Sequence, residues 1–215
     1  MRDGWTWRPP RSDVLLSLRW AAFLTVLFPV VYLTCNWITA RRPAHWKLWM
    51  DWELGIPFVP SMVWVYLSIF VYFFLPMFAL REASLNALCR RLVFAVLVSA
   101  AVFLLLPAQV AFPRPTEVPG YETAFRVIYL FDLPGNSVPS LHVSWSTLFL
   151  LTLREPSPPW LRRVLAAWLI ALCASVLLVH QHHVIDIAGG VLVALAARHV
   201  IRADGAWAWR NGEIS

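Results

Sequence analysis

The sequence predicts an all-α integral membrane protein, a six-transmembrane-helix bundle forming one domain over residues 1–215. Three observations predict it. Hydrophobic residues fill 60% of the 215 positions and charged residues only 14%, where a soluble domain carries roughly 25% charged residues. Six apolar stretches run at or near spanning length. The arginines and lysines fall between those stretches with a strong bias to alternate loops. A net charge of +6 then belongs to loops facing an anionic leaflet. No basic stripe accompanies a nucleic-acid motif, so no nucleic-acid partner is expected.

The first span is Val14–Asn36, with Arg19 near its start able to snorkel to the surface. The segment before it, MRDGWTWRPPRSD, is polar and basic and the run after it is span-length, so no cleavable signal peptide is expected. The second span is Ile56–Leu80 and the third Leu92–Phe112. A Pro/Gly-rich loop follows, PRPTEVPGYETAFRVIYLFDLPGN. The fourth span is about Val138–Leu153, the fifth about Leu161–Val179, the sixth about His183–Arg198. Trp5, Trp7, Trp37, Trp46, Trp49, Trp52, Trp160, Trp207 and Trp209 fall near predicted membrane edges, as interfacial tryptophans do. Cys35, Cys89 and Cys173 lie in or beside apolar runs without metal or redox spacing and read as packing residues. No repeat, low-complexity tract or second domain interrupts the chain.

Orientation follows from the cations. With a cytoplasmic N-terminus, thirteen of the 18 arginines and lysines lie on the cytoplasmic side. Arg41, Arg42, Lys47, Arg114 and Arg126 lie opposite. Both termini are therefore expected in the cytoplasm. The end of span three, the start of span four and the junction of spans five and six then share the non-cytoplasmic face. Those places hold the unusual residues: AFPRP with Arg114, NSVPSLHVSWS with Ser140 and His142, and HQHHVID with His180, His182 and Asp186. Ionisable groups at membrane depth point to a functional site.

His182 and Asp186 are four residues apart, so on one helix face the carboxylate can hold one imidazole nitrogen and leave the other free. A histidine so held can attack phosphorus, and His142 from another helix could protonate the leaving oxygen. Arg114 and the backbone around Ser140, at a helix start, suit phosphoryl oxygens. Simpler readings stand beside these. His180, His183 and His199 could be helix–helix hydrogen-bonding residues, Arg114 an interfacial anchor and Ser140 a helix cap. Asp51 and Glu53 read as solvated loop charges. Three histidines and an aspartate could ligate zinc. However, adjacent His182 and His183 point apart on a helix, so no metal or other cofactor is expected.

PRP (113–115), PSLH (139–142) and HHVID (182–186) resemble the three signature motifs of the type-2 phosphatidic acid phosphatase superfamily. The motif-bearing core covers about residues 92–200. The resemblance implies a six-helix membrane phosphatase or phosphotransferase working through phosphohistidine without a metal. It makes His182 the nucleophile, Asp186 its orienter, His142 the general acid, and Arg114 and Ser140 phosphate ligands. The implied partners are a lipid substrate and the bilayer, with no obligate protein partner. Three departures matter. Pro107 and Val176 stand where the phosphatase pattern has cations, and Leu141 stands where it has glycine. Ser175 followed by Gln181-His182 looks closer to the inositol-phosphorylceramide-synthase-like branch. His180 occupies that branch's lysine position and is implied as a replacement cation or donor for substrate. Fewer cations favour a low-charge phosphodiester over a phosphomonoester dianion. A non-catalytic lipid-binding membrane protein is the alternative outside enzymes.

Overall fold

The computed structural model describes residues 4–202. The expectations for Arg2, Trp207, Trp209 and Arg210 therefore lie outside the described residues. Among the described residues the fold is helical, without a β-strand. The first helix, α1, spans Arg11–Thr39. Short helices α2 (Val63–Leu67), α3 (Ile69–Tyr72) and α4 (Pro76–Ala79) follow. Then come α5 (Glu82–Leu105), α6 (Glu122–Phe131), α7 (Leu141–Leu153), α8 (Pro159–Leu178) and α9 (Val184–Val200).

Three helices, α1, α5 and α8, are long and apolar enough to cross a membrane. The expected second span, Ile56–Leu80, is not one helix. It is a 3-10 turn at Pro60–Met62 followed by α2, α3 and α4. Proline at 60 and 76 lacks the N–H a continuous helix needs. Between them the Ser68 hydroxyl bonds back to the Val65 carbonyl at 2.6 Å, a contact that bends helices. The third expected span begins ten residues early, at Glu82. Arg91, read as a loop charge, is buried inside it, with Nε and Nη2 both donating to the Ile201 carbonyl at 3.1 and 2.9 Å. Helix α6 lies in what the sequence suggested was loop, and it buries Ala124, Phe125 and Ile128 on one face.

Hydrogen bonds fix which ends of the helices meet. Trp20 of α1 reaches Asn86 of α5 at 2.8 Å, Cys35 of α1 contacts Ala100, and Arg42 just beyond α1 reaches the carbonyl of Leu104. Helices α1 and α5 therefore run parallel, and residues 43–81 return the length of the bundle between them. Asp13 and Arg81 close the near end at 3.1 Å. At the far end the Val59 N–H donates to the Leu178 carbonyl at 2.8 Å, and the Ser140 N–H to the Asp186 carbonyl at 3.0 Å. The starts of α7 and α9 and the loop after α5 gather there.

Helix α7 is the central element, with Val143, Trp145, Leu148, Phe149 and Leu153 all buried. Its close packing on α9 needs glycine. A Cβ on Gly190 would sit 2.6 Å from the Ser140 carbonyl oxygen, and one on Gly189 3.1 Å from the Pro139 side chain. Of the tryptophans expected at membrane edges, Trp7, Trp37, Trp46, Trp52 and Trp160 are exposed. Trp5 instead donates to the Ser157 hydroxyl at 2.9 Å. Trp49 stacks on His183. The three cysteines are free, with Cys35 and Cys89 buried as packing residues.

Candidate active site

Helix α9 opens with His183 as N-cap and Asp186 at its third position. The Asp186 carboxylate accepts the His183 N–H at 2.9 Å, satisfying a donor that the helix start leaves unpaired. The same oxygen meets His182 Nδ1 at 3.1 Å. This corrects the geometry expected from spacing: His182 precedes the helix, and the carboxylate reaches back across the cap. The pairing survives for a different reason than a shared helix face. His182 is also pinned through its backbone N–H, which donates to the Val176 carbonyl at 3.1 Å. The His182 side chain keeps 11% exposure and that of Asp186 only 1%. With Nδ1–H on the carboxylate, His182 Nε2 carries the free lone pair.

His183 points elsewhere. Its Nδ1 lies 3.1 Å from Glu53 Oε2 and its Nε2 accepts the Ala111 N–H at 3.0 Å. Phe112 stacks on it at 4.5 Å. Glu53, read as a solvated loop charge, is fully buried and also accepts the Val184 N–H at 2.8 Å. Burial alone would raise the Glu53 carboxyl. The N–H groups of Met50 and Val184 and the His183 imidazole outweigh it and hold the carboxyl below its ordinary range. Solvation was the wrong expectation because a 3-10 turn at Asp51–Gly55 folds this loop down onto α9. Its neighbour Asp51 is exposed.

His180 has a left-handed backbone, φ 58°, which turns its ring so that Nε2 meets the Ile56 carbonyl at 3.0 Å. The ring stacks on Phe112 at 4.1 Å. Burial pushes its imidazole below the usual histidine range, the Ile56 carbonyl opposes that, and His183 adds repulsion. That environment favours neutral imidazole over the replacement cation the resemblance implied.

Ser140 is fully buried and caps α7, its hydroxyl accepting the Val143 N–H at 3.4 Å. His142 follows in the first turn of α7. Its Nε2 is buried without a hydrogen-bond partner among the described residues. Arg114 donates through Nη1 to the Asp132 carbonyl, and its guanidinium lies 5.1 Å from the centre of the Tyr129 ring.

Sequence reasoning missed Asp132 and the tyrosines around it. The Asp132 carboxylate accepts Tyr32 of α1 at 2.7 Å and Tyr66 of α2 at 2.8 Å. The Tyr66 ring in turn stacks on His142 at 4.0 Å. One signal was available: Asp132 lies in the same stretch between helices as Arg114, closing the run Val127–Phe131 just before Leu-Pro-Gly. Nothing in the sequence pairs it with tyrosines about 66 and 100 positions away.

Pro107 and Val176, at the expected cation positions, are both buried apolar residues. Among the described residues no group of three His, Cys, Asp or Glu side chains is arranged to hold a metal ion. Comparison with curated proteins gave no match. The sequence pattern of the PAP2 superfamily matches residues 88–210, which takes in Arg114, the Ser140–His142 cap and the His182–Asp186 pair. With more than half of its length matched and apolar helices long enough to cross a membrane, the chain belongs to the PAP2 superfamily, whose membership supports a phosphatase-type activity.

Proposed function

We propose that the protein is a membrane-embedded lipid phosphatase or phosphotransferase acting through phosphohistidine, on a lipid phosphate, lipid diphosphate or phospholipid headgroup. The observation that carries this reading is the His182–Asp186 contact of 3.1 Å, with the Ser140 cap of the helix that bears His142 bonded to the Asp186 carbonyl at 3.0 Å. His182 Nε2 attacks phosphorus as the bond to the leaving oxygen breaks, and His142 gives that oxygen a proton. Asp186 holds Nδ1–H and balances the charge that develops on the ring. Arg114 and the N-terminus of α7 at Ser140 neutralise the phosphoryl oxygens. His142, now neutral, then takes a proton from the second acceptor as its oxygen displaces His182.

Water as that acceptor makes a phosphatase, an alcohol a transferase. Apolar Pro107 and Val176 in place of cations, with Leu141 in the second motif, favour headgroup transfer of the inositol-phosphorylceramide-synthase-like kind as the second reading. The six-pass arrangement, with α2–α4 as a broken pass, would put both described ends of the chain in the cytoplasm and the site on the non-cytoplasmic face.

Purified protein in detergent, incubated with a panel of lipid phosphates, tests the reading through free phosphate and headgroup-transferred products. Rapid quenching is expected to trap an acid-labile phosphoprotein in the wild type and none in His182→Ala. Full turnover by His182→Ala would reject the mechanism, and loss of turnover on chelation would point to a metal-dependent hydrolase.

A further inference from the structure

We propose that Asp132 sets the charge of the phosphoryl group this site accepts, favouring a phosphodiester monoanion over a phosphomonoester dianion. The inference rests on the reading of Arg114, His142 and His182 as phosphoryl-transfer residues. Its own support is the placement of a carboxylate that this chemistry does not use.

Tyr32 and Tyr66 hold that carboxylate from two different helices, at 2.7 and 2.8 Å. Each oxygen has a donor, so the group is fixed and cannot swing away when a substrate arrives. Arg114 bonds the main-chain carbonyl of Asp132, and the carboxylate makes no salt bridge with it among the described residues. The negative charge is therefore close to the phosphate-binding arginine without being consumed in a direct pair. On its other side it is one aromatic ring from His142, through the Tyr66 stack at 4.0 Å.

The remaining charges sharpen the effect. Asp186 and Glu53 are hydrogen-bonded by His182 and His183, whose rings, with one nitrogen left to attack or to accept, bring no positive charge. Val176 and Pro107 supply no further cation. Among the described residues of this site, Arg114 is then the one permanent positive charge, and Asp132 opposes it. A second negative charge on the substrate meets repulsion that a monoanion largely escapes.

Dioleoyl phosphatidate and dioleoyl phosphatidylglycerol test this, because expulsion of the same diacylglycerol can be read from both. Only the charge and headgroup on phosphorus differ. Asp132→Asn is expected to raise the phosphatidate-to-phosphatidylglycerol ratio of kcat/KM about tenfold, the scale of one partly screened unit charge. Asp132→Glu is expected to keep the wild-type ratio. Parallel loss of both activities in Asp132→Asn would reduce Asp132 to a scaffold and overturn the inference.

A second measurement needs no variant. In the wild type the same ratio is expected to rise as pH falls through about 6, where a phosphomonoester dianion gains a proton. The groups facing the phosphoryl site, His142, His182, Arg114 and Asp186, are the same for both lipids, so the ratio reads the charge of the substrate. A pH-independent ratio would also overturn the inference. Failure of the site itself reads differently: wild type inert on both lipids, or His182→Ala still active, removes the proposed function and this inference with it.

Discussion

Two adjacent histidines show how little chain position says about role. His182 keeps a nitrogen free while His183 spends both, on Glu53 and the Ala111 N–H. His182→Ala is accordingly expected to abolish turnover with the smaller loss of Tm, since Asp186 keeps the His183 N–H. His183→Ala is expected to lower Tm more, because it strips a bond from Glu53 and leaves the Ala111 N–H unpaired, at about 1–3 kcal/mol for a buried group left unsatisfied. Thermal melts beside lipid turnover separate the two, and the reverse ranking would mean the nucleophile is His183. Asp186→Asn should impair turnover severely through the lost hold on His182. Glu53 adds a pH signature. Its folded carboxyl is held below the ordinary range, so its stabilisation is present above the unfolded value of about 4.3 and is lost as pH falls through the folded one. The stability gap between wild type and Glu53→Gln is expected to be constant above about pH 5 and to close below about pH 4. A gap that widens in acid would contradict this. The motif residues were legible because their types and spacing carry chemistry. Glu53 and Asp132 were not, since each meets its partners only through a fold that brings distant loops together.

Helices α7 and α9 illustrate the same divide at the level of elements. The sequence located both within a few residues, because an apolar run and a capping serine announce themselves locally. The contact between them depends on Gly190, whose added Cβ would meet a backbone oxygen at 2.6 Å that cannot move alone. Gly190→Ala is expected to cost about 1–3 kcal/mol and to depress turnover by prising His142 from His182. Gly189→Ala, facing the Pro139 side chain at 3.1 Å, should be milder. Denaturant melts and turnover of the two variants check that order, and equal effects would mean the α7–α9 distance does not govern the chemistry. Less was legible in the second pass and in α6. Residues 56–80 have a helix's composition but prolines at both ends and a serine bond in the middle. The decapeptide of α6 sits in a Pro/Gly-rich stretch, where turn residues outweighed its one apolar face.

For the whole molecule, the cation bias makes a prediction that the helices themselves leave open. Single cysteines at Glu117 and Glu155, in a background lacking Cys35, Cys89 and Cys173, are expected to label from opposite sides with an impermeant thiol reagent. Labelling from one side would remove both the six-pass arrangement and the common face on which the site is built. Glu155 pairs only at the surface, with Arg198, so its replacement should disturb little. The loop after α5 carries a final consequence. Four of its residues, at 107, 113, 115 and 119, are proline, which leaves the unfolded chain fewer conformations to lose. Main-chain bonds then tie it down at Trp46, Pro134 and His183, at 2.8, 2.9 and 3.0 Å. Arg114 thus reaches its position when the protein folds, before any lipid arrives. The entropy of ordering the arginine's loop is met once, at folding, and is not charged again at each turnover.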